Sequence, residues 1–168
     1  MIVEYLHSLS QEDRLQAFLR CCGSTRWANG MCQAFPFSSD EDLHQKADEV
    51  WNALEKADFL EAFTHHPQIG ASKEHLRKKF QSTATWSSGE QAGVSQASED
   101  ILDRLVRGNK AYLDRFGYIF IVCATGKSAK EMAELLEHRL PNEPDIELRV
   151  AAQEQAKITH IRLEKLGS

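Results

Sequence analysis

SEDILDRLVRGNKAYLDRFGYIFIVCATG, residues 98–126, changes character at its midpoint, and that change decides the fold class. From Ser98 to Phe116, the residues Ile101, Leu105, Tyr112 and Phe116 recur on one helical stripe, with Leu102, Val106 and Leu113 beside it. Gly117 stands where a helix ends on a left-handed residue. The next run, YIFIVCAT, is rich in β-branched and aromatic residues, as a strand would be. No partner strand is evident elsewhere. The expectation is therefore an all-α fold: a single compact multi-helix domain over 1–168, with one extended segment (about 118–124) buried among the helices. The backbone groups of that segment must find partners outside a sheet.

Helix signals continue on both sides. Ser10 caps a helix through Leu15, Phe18 and Leu19 that stops at Gly23. A short helix follows from Trp27 to Ala34, closed by Pro36. Ser38 and Glu41 read as a capping box before an amphipathic stretch with Leu43, Ala47, Val50 and Leu54 on one face. Asp58 to Thr64 forms another helix, ended by Pro67. The stretch 70–94 is rich in Ser, Gly, Lys and Thr, and reads as a short basic helix (Lys73 to Phe80) and a loop through QSTATWSSG. Ser128 and Glu131 form a further capping box, for a helix to about Leu140. Pro141 and Pro144 bracket the turn into a final helix from about Asp145 to Leu166.

Composition sets limits on function. With 168 residues, 42% hydrophobic and 27% charged, the chain can bury its own core. A net charge of −5 with no basic block gives no footprint for nucleic acid, though an arginine in a pocket can still hold a small anion. No apolar run approaches the roughly 20 residues of a membrane helix. Glu4 and His7 interrupt what would be the apolar core of a signal peptide, and the terminal KLGS is no peroxisomal address. Cys21, Cys22, Cys32 and Cys123 suit neither a disulfide framework nor a CxxC site, and read as reduced thiols in a cytoplasmic protein.

Three polar positions stand out. His66 precedes Pro67, which biases it away from helical backbone at a helix end, where an imidazole can serve as acid or base near neutral pH. Its residue context alone also reads as a surface histidine in a helix-terminating turn. Glu90 lies in WSSGEQAG, where Ser87 and Glu90 have capping-box spacing. A structural cap and an anion-binding helix start are both available there. Gln91 adds an amide suited to a urea-like group. Arg162 has Ile158 and Leu166 one turn away on each side, so it borders an apolar face. Its guanidinium can grip a carboxylate, or it can snorkel or pair with Glu154. No HExxH, Walker A, dinucleotide GxGxxG or GxSxG motif occurs.

Taken together and in order, THHPQIG (64–70), WSSGEQAG (86–93), FGYIFIVCATGKS (116–128) and ELRVAAQEQAKITHIRLEKL (147–166) resemble the OHCU decarboxylase family. The resemblance extends over essentially the whole chain, including the RLPNEP turn. OHCU is 2-oxo-4-hydroxy-4-carboxy-5-ureidoimidazoline, an anionic intermediate of urate breakdown. The resemblance implies an all-helical, cytoplasmic homodimer that needs neither metal nor organic cofactor and that yields (S)-allantoin. It places the catalytic residues at His66, Glu90 and Arg162. It places substrate contacts at Pro67, at Ser87, Ser88, Gly89 and Gln91, and at Phe120, Ile121, Val122, Cys123 and Ala124. The segment between His66 and Glu90 is a few residues longer than the family's pattern, with the insertion near Lys78 to Thr85. Two other readings remain: a helical module that binds a protein partner, and a metal-dependent hydrolase using His65, His66 and His75.

Overall fold

The computed structural model describes residues 1–67, 73, 74, 76 and 91–168, with backbone alone for 91–98. Eight helices form among the described residues: α1 (Ile2–Ser8), α2 (Gln11–Cys21), α3 (Thr25–Ala34), α4 (Asp40–Asn52), α5 (Lys56–Thr64), α6 (Gln91–Phe116), α7 (Ala129–Arg139) and α8 (Pro144–Leu166). No strand forms among the described residues, so the all-α expectation holds. Residues 119–124 are neither helix nor strand, and Phe120 to Cys123 are buried.

Serine side chains cap the N-termini of four of these helices. Ser10, Ser24 and Ser128 each accept from the amide three residues on, as N-cap hydroxyls do. At α4 the expected cap is off by one residue. Ser39, not Ser38, accepts from the Asp42 amide, while Ser38 bonds the Asp42 carboxylate. The helix expected from Ser98 begins at Gln91. Gly117 takes φ +82° and closes α6 with its amide on the Leu113 carbonyl at 2.8 Å, the left-handed end its sequence position called for. Pro144 opens α8, where a missing N–H costs no hydrogen bond.

The chain divides into two compact units. The first holds Met1–His66, Ile121–Cys123 and Leu148–Ser168. Its core is built on Leu6, Phe18, Trp27, Met31, Leu43, Ala47, Trp51 and Leu163. Both tryptophans bury their rings and still satisfy their indole N–H groups, Trp27 on the Ala47 carbonyl at 3.1 Å and Trp51 on the Ala152 carbonyl at 2.9 Å. The second unit holds Pro67–Phe120 and Ala124–Glu147. There Leu102, Leu105 and Tyr112 of α6 and Met132, Ala133 and Leu136 of α7 are buried. Ile101 and Phe116, expected on the core stripe, are only half-buried.

The second unit also encloses charge. Glu147 accepts from Arg139 through both carboxylate oxygens, at 2.5–3.2 Å, from the Tyr112 hydroxyl, and from Asn142 Nδ2 at 3.1 Å. A buried carboxylate is tolerable only with such complete pairing.

Candidate functional site

His66 follows the end of α5. His65 closes that helix with its amide on Ala62, and the His66 amide bonds the Phe63 carbonyl at 3.3 Å. Gly23 helps fix this corner: a Cβ on it would lie 2.4 Å from the His65 ring, so only glycine lets the two segments approach. His66 itself is half-buried, and Pro67 after it is exposed.

Across the same unit, α8 presents Gln155, Thr159 and Arg162 at i, i+4 and i+7, one helical face. His66 Nε2 and Gln155 Oε1 are hydrogen-bonded to each other. Gln155 Nε2 donates to Thr159 Oγ1 at 3.1 Å, and Thr159 returns its proton to the Gln155 main-chain carbonyl at 3.0 Å. Gln155 is fully buried and Thr159 nearly so. Neither residue stands out in the sequence, although they form a Gln–Thr pair one turn apart on the face that carries Arg162.

Arg162 is half-buried and donates to the Cys21 carbonyl at 3.4 Å. It has no carboxylate partner among the described residues. Glu154, the local acid expected to compete for it, instead pairs with Lys157 at 2.6 Å and accepts the Cys123 amide at 3.2 Å. That last bond also supplies a partner for the backbone of the strand-like run. Residues 121–123 belong to the same unit as His66 and Arg162, whereas Phe120 and Ala124 belong to the other.

Electrostatics follow from this arrangement. Burial pushes the His66 imidazole below its ordinary value; the Gln155 bond opposes that, and the charges of Arg162 and His65 reinforce it. Neutral imidazole is therefore the resting form near neutral pH. Burial pushes the Cys21 thiol up to about 12, against the lowering pull of Arg162, and the Cys22 thiol up to about 11, against hydrogen bonds from the Ser24 backbone and the Thr159 side chain, which disfavours the thiolate at both positions. Among the described residues, no three His, Cys, Asp or Glu side chains cluster as a metal site would require. Glu90, Ser87, Ser88 and Gly89 lie outside the described residues, as does the side chain of Gln91, the first residue of α6.

These features define a class: an all-helical protein holding an imidazole biased to its neutral form and a guanidinium with no carboxylate partner among the described residues, both in one compact unit. The chain belongs to the OHCU decarboxylase family, whose model matches residues 7–164. It is 39% identical over 150 residues to the uric acid degradation bifunctional protein TTL of Arabidopsis thaliana, covering 88% of this chain but only 45% of that protein. The chain thus spans less than half of that relative's length. It is 32% identical over 131 residues to the 2-oxo-4-hydroxy-4-carboxy-5-ureidoimidazoline decarboxylase of Mus musculus, covering 78% of this chain and 72% of the mouse protein. A crystal structure of an OHCU decarboxylase in the presence of (S)-allantoin superposes with a TM-score of 0.71 at 33% identity, covering 94% of this chain and 98% of the other.

Proposed function

We propose that residues 1–168 form one OHCU decarboxylase domain that converts 2-oxo-4-hydroxy-4-carboxy-5-ureidoimidazoline to (S)-allantoin in urate breakdown. The observation that carries this reading is the family match, which extends through both His66 and Arg162. The solved relative obtained with (S)-allantoin supports the identity of the product.

The substrate brings its own electron sink. The carbon that loses CO2 carries a hydroxyl and adjoins a ring C=N. When the C–C bond breaks, its electron pair enters the ring as a new C=C while the C=N pair moves onto nitrogen, which takes a proton. The resulting enol-like ene-amine then loses its hydroxyl proton and gains one at the ureido-bearing carbon, restoring a carbonyl and yielding allantoin. No borrowed sink is needed, which fits a reaction free of metal and organic cofactor. In this scheme Arg162 grips the substrate anion as a planar fork. Neutral His66 takes the hydroxyl proton. Glu90 orients His66 and the ureido group, and protonation from one face fixes the (S) configuration. Pro67, Ser87, Ser88, Gly89 and Gln91, with the 120–124 segment, line the ring. The enzyme acts as a cytoplasmic homodimer.

The test is release of CO2 from freshly generated OHCU. The protein accelerates it well above spontaneous decay; a rate indistinguishable from the protein-free control overturns the assignment.

A further inference from the structure

We infer that Gln155 is a positioning residue that holds His66 as the Nε2–H tautomer, so that Nδ1 is the nitrogen that accepts the substrate proton. The inference deepens the decarboxylase reading and rests on it for the identity of that proton. The tautomer itself follows from hydrogen-bond geometry alone.

Protons can be counted along this chain of bonds. A threonine hydroxyl has one proton. The Gln155 main-chain carbonyl, 3.0 Å from Thr159 Oγ1, can only accept it. The Cys22 thiol, which also bonds the Thr159 side chain, is protonated and can donate to it, so Thr159 Oγ1 faces the Gln155 side chain as an acceptor and the amide presents its NH2 there, at 3.1 Å. This leaves Gln155 Oε1 for His66, and an amide oxygen cannot donate. The proton of the neutral ring must then sit on Nε2, with the lone pair on Nδ1. Both Gln155 and Thr159 are buried, so no solvent proton relaxes the choice. The arrangement parallels the way a fixed partner on one ring nitrogen sets the role of the other in catalytic histidines generally.

A reversed amide is the competing geometry. It would put NH2 against His66 and a carbonyl against Thr159, turning the threonine proton toward the side chain and leaving Thr159 Oγ1 and the Gln155 main-chain carbonyl, 3.0 Å apart, with no proton between them. That arrangement predicts a proton on Nδ1.

The experiment uses the full chain labelled with 15N at histidine. Above the titration of His66, one-bond 15N–1H correlation in the wild type shows an exchange-protected proton on Nε2. Gln155→Leu removes that protection and lowers the His66 pKa further, because the bond that favours the imidazolium is lost. Gln155→Glu keeps the Nε2 proton and raises the pKa, since a carboxylate favours the charged ring. Shifts of opposite sign are not what a merely packing role gives. Thr159→Val, which keeps the volume, weakens the same resonance and serves if Gln155→Leu does not fold. A proton found on Nδ1, or an Nε2 resonance unchanged in both Gln155→Leu and Thr159→Val, overturns the inference. Neither result depends on turnover, so failure here and failure of the decarboxylase reading are separable.

Discussion

Arg139 and Glu147 face one another inside the second unit as a bidentate ion pair, with relative exposures of 6% and 0% for the two side chains. Tyr112 and Asn142 complete the coordination of the carboxylate, and burial followed by the Glu147 bond raises the Tyr112 phenol far above its ordinary range. Removing one partner strands a charge in a low-dielectric interior. Arg139→Leu is expected to cost about 3–5 kcal/mol of stability. Urea denaturation measures this; a loss below about 1 kcal/mol, the range of exposed pairs, contradicts it.

His66 governs the pH dependence. Its folded pKa is lowered, first by burial and then by the Arg162 and His65 charges. The neutral base therefore persists below the ordinary histidine value of about 6.5. The acid limb of kcat/KM is expected below that value, and His66→Ala lowers kcat by at least about 100-fold. The linkage has a definite sign. The unfolded chain binds this proton at higher pH than the folded one, so stability falls as pH drops from the unfolded pKa to the folded pKa. An acid limb above the ordinary value, or full activity in His66→Ala, contradicts the assignment.

Arg162→Lys replaces a planar fork by a point charge. Losing one charge-assisted hydrogen bond of about 1.5 kcal/mol corresponds to a roughly tenfold weaker capture. Steady-state kinetics should show KM rising by that factor with a smaller change in kcat. Identical saturation curves would remove Arg162 from substrate binding.

The cysteines should differ in reactivity. Cys21 and Cys22 are buried with pKa values pushed up to about 12 and about 11, whereas Cys32 is only partly buried. In native buffer, iodoacetamide is expected to modify Cys32 before Cys21 or Cys22, as peptide mass spectrometry would read. Alkylation of Cys21 or Cys22 first would show that this corner of the first unit opens readily.

How much of this was legible depended on the range of the interactions. Ser10, Ser128 and Gly117 act on neighbours three or four residues away, and their caps were readable in the chain. Helix α1 was not. Its seven residues are capped by the Asp40 carboxylate, which accepts the Ile2 and Val3 amides from 37–38 positions away. The early start of α6 was hidden because Gly93, Ser95 and Ser98 have low helix propensity. Two adjacent serines made the α4 cap ambiguous, and Asp42 selects Ser39. At the site, His66 stood out by the proline that follows it at a helix end, and Arg162 by the apolar residues one turn away on each side. Gln155 was passed over because a neutral amide inside a helix carries no such contrast. The Arg139–Glu147 pair spans the RLPNEP turn, and nothing in either residue's immediate neighbours marks it as buried.

The most direct measurement follows chirality. OHCU is generated from urate in the presence of the preceding enzymes, this protein is added, and the circular dichroism of the product is recorded over time. The account predicts a persistent signal of the sign of (S)-allantoin, lost in His66→Ala and Glu90→Ala. A signal that decays to that of racemate at the spontaneous rate, with the wild-type chain present, contradicts it.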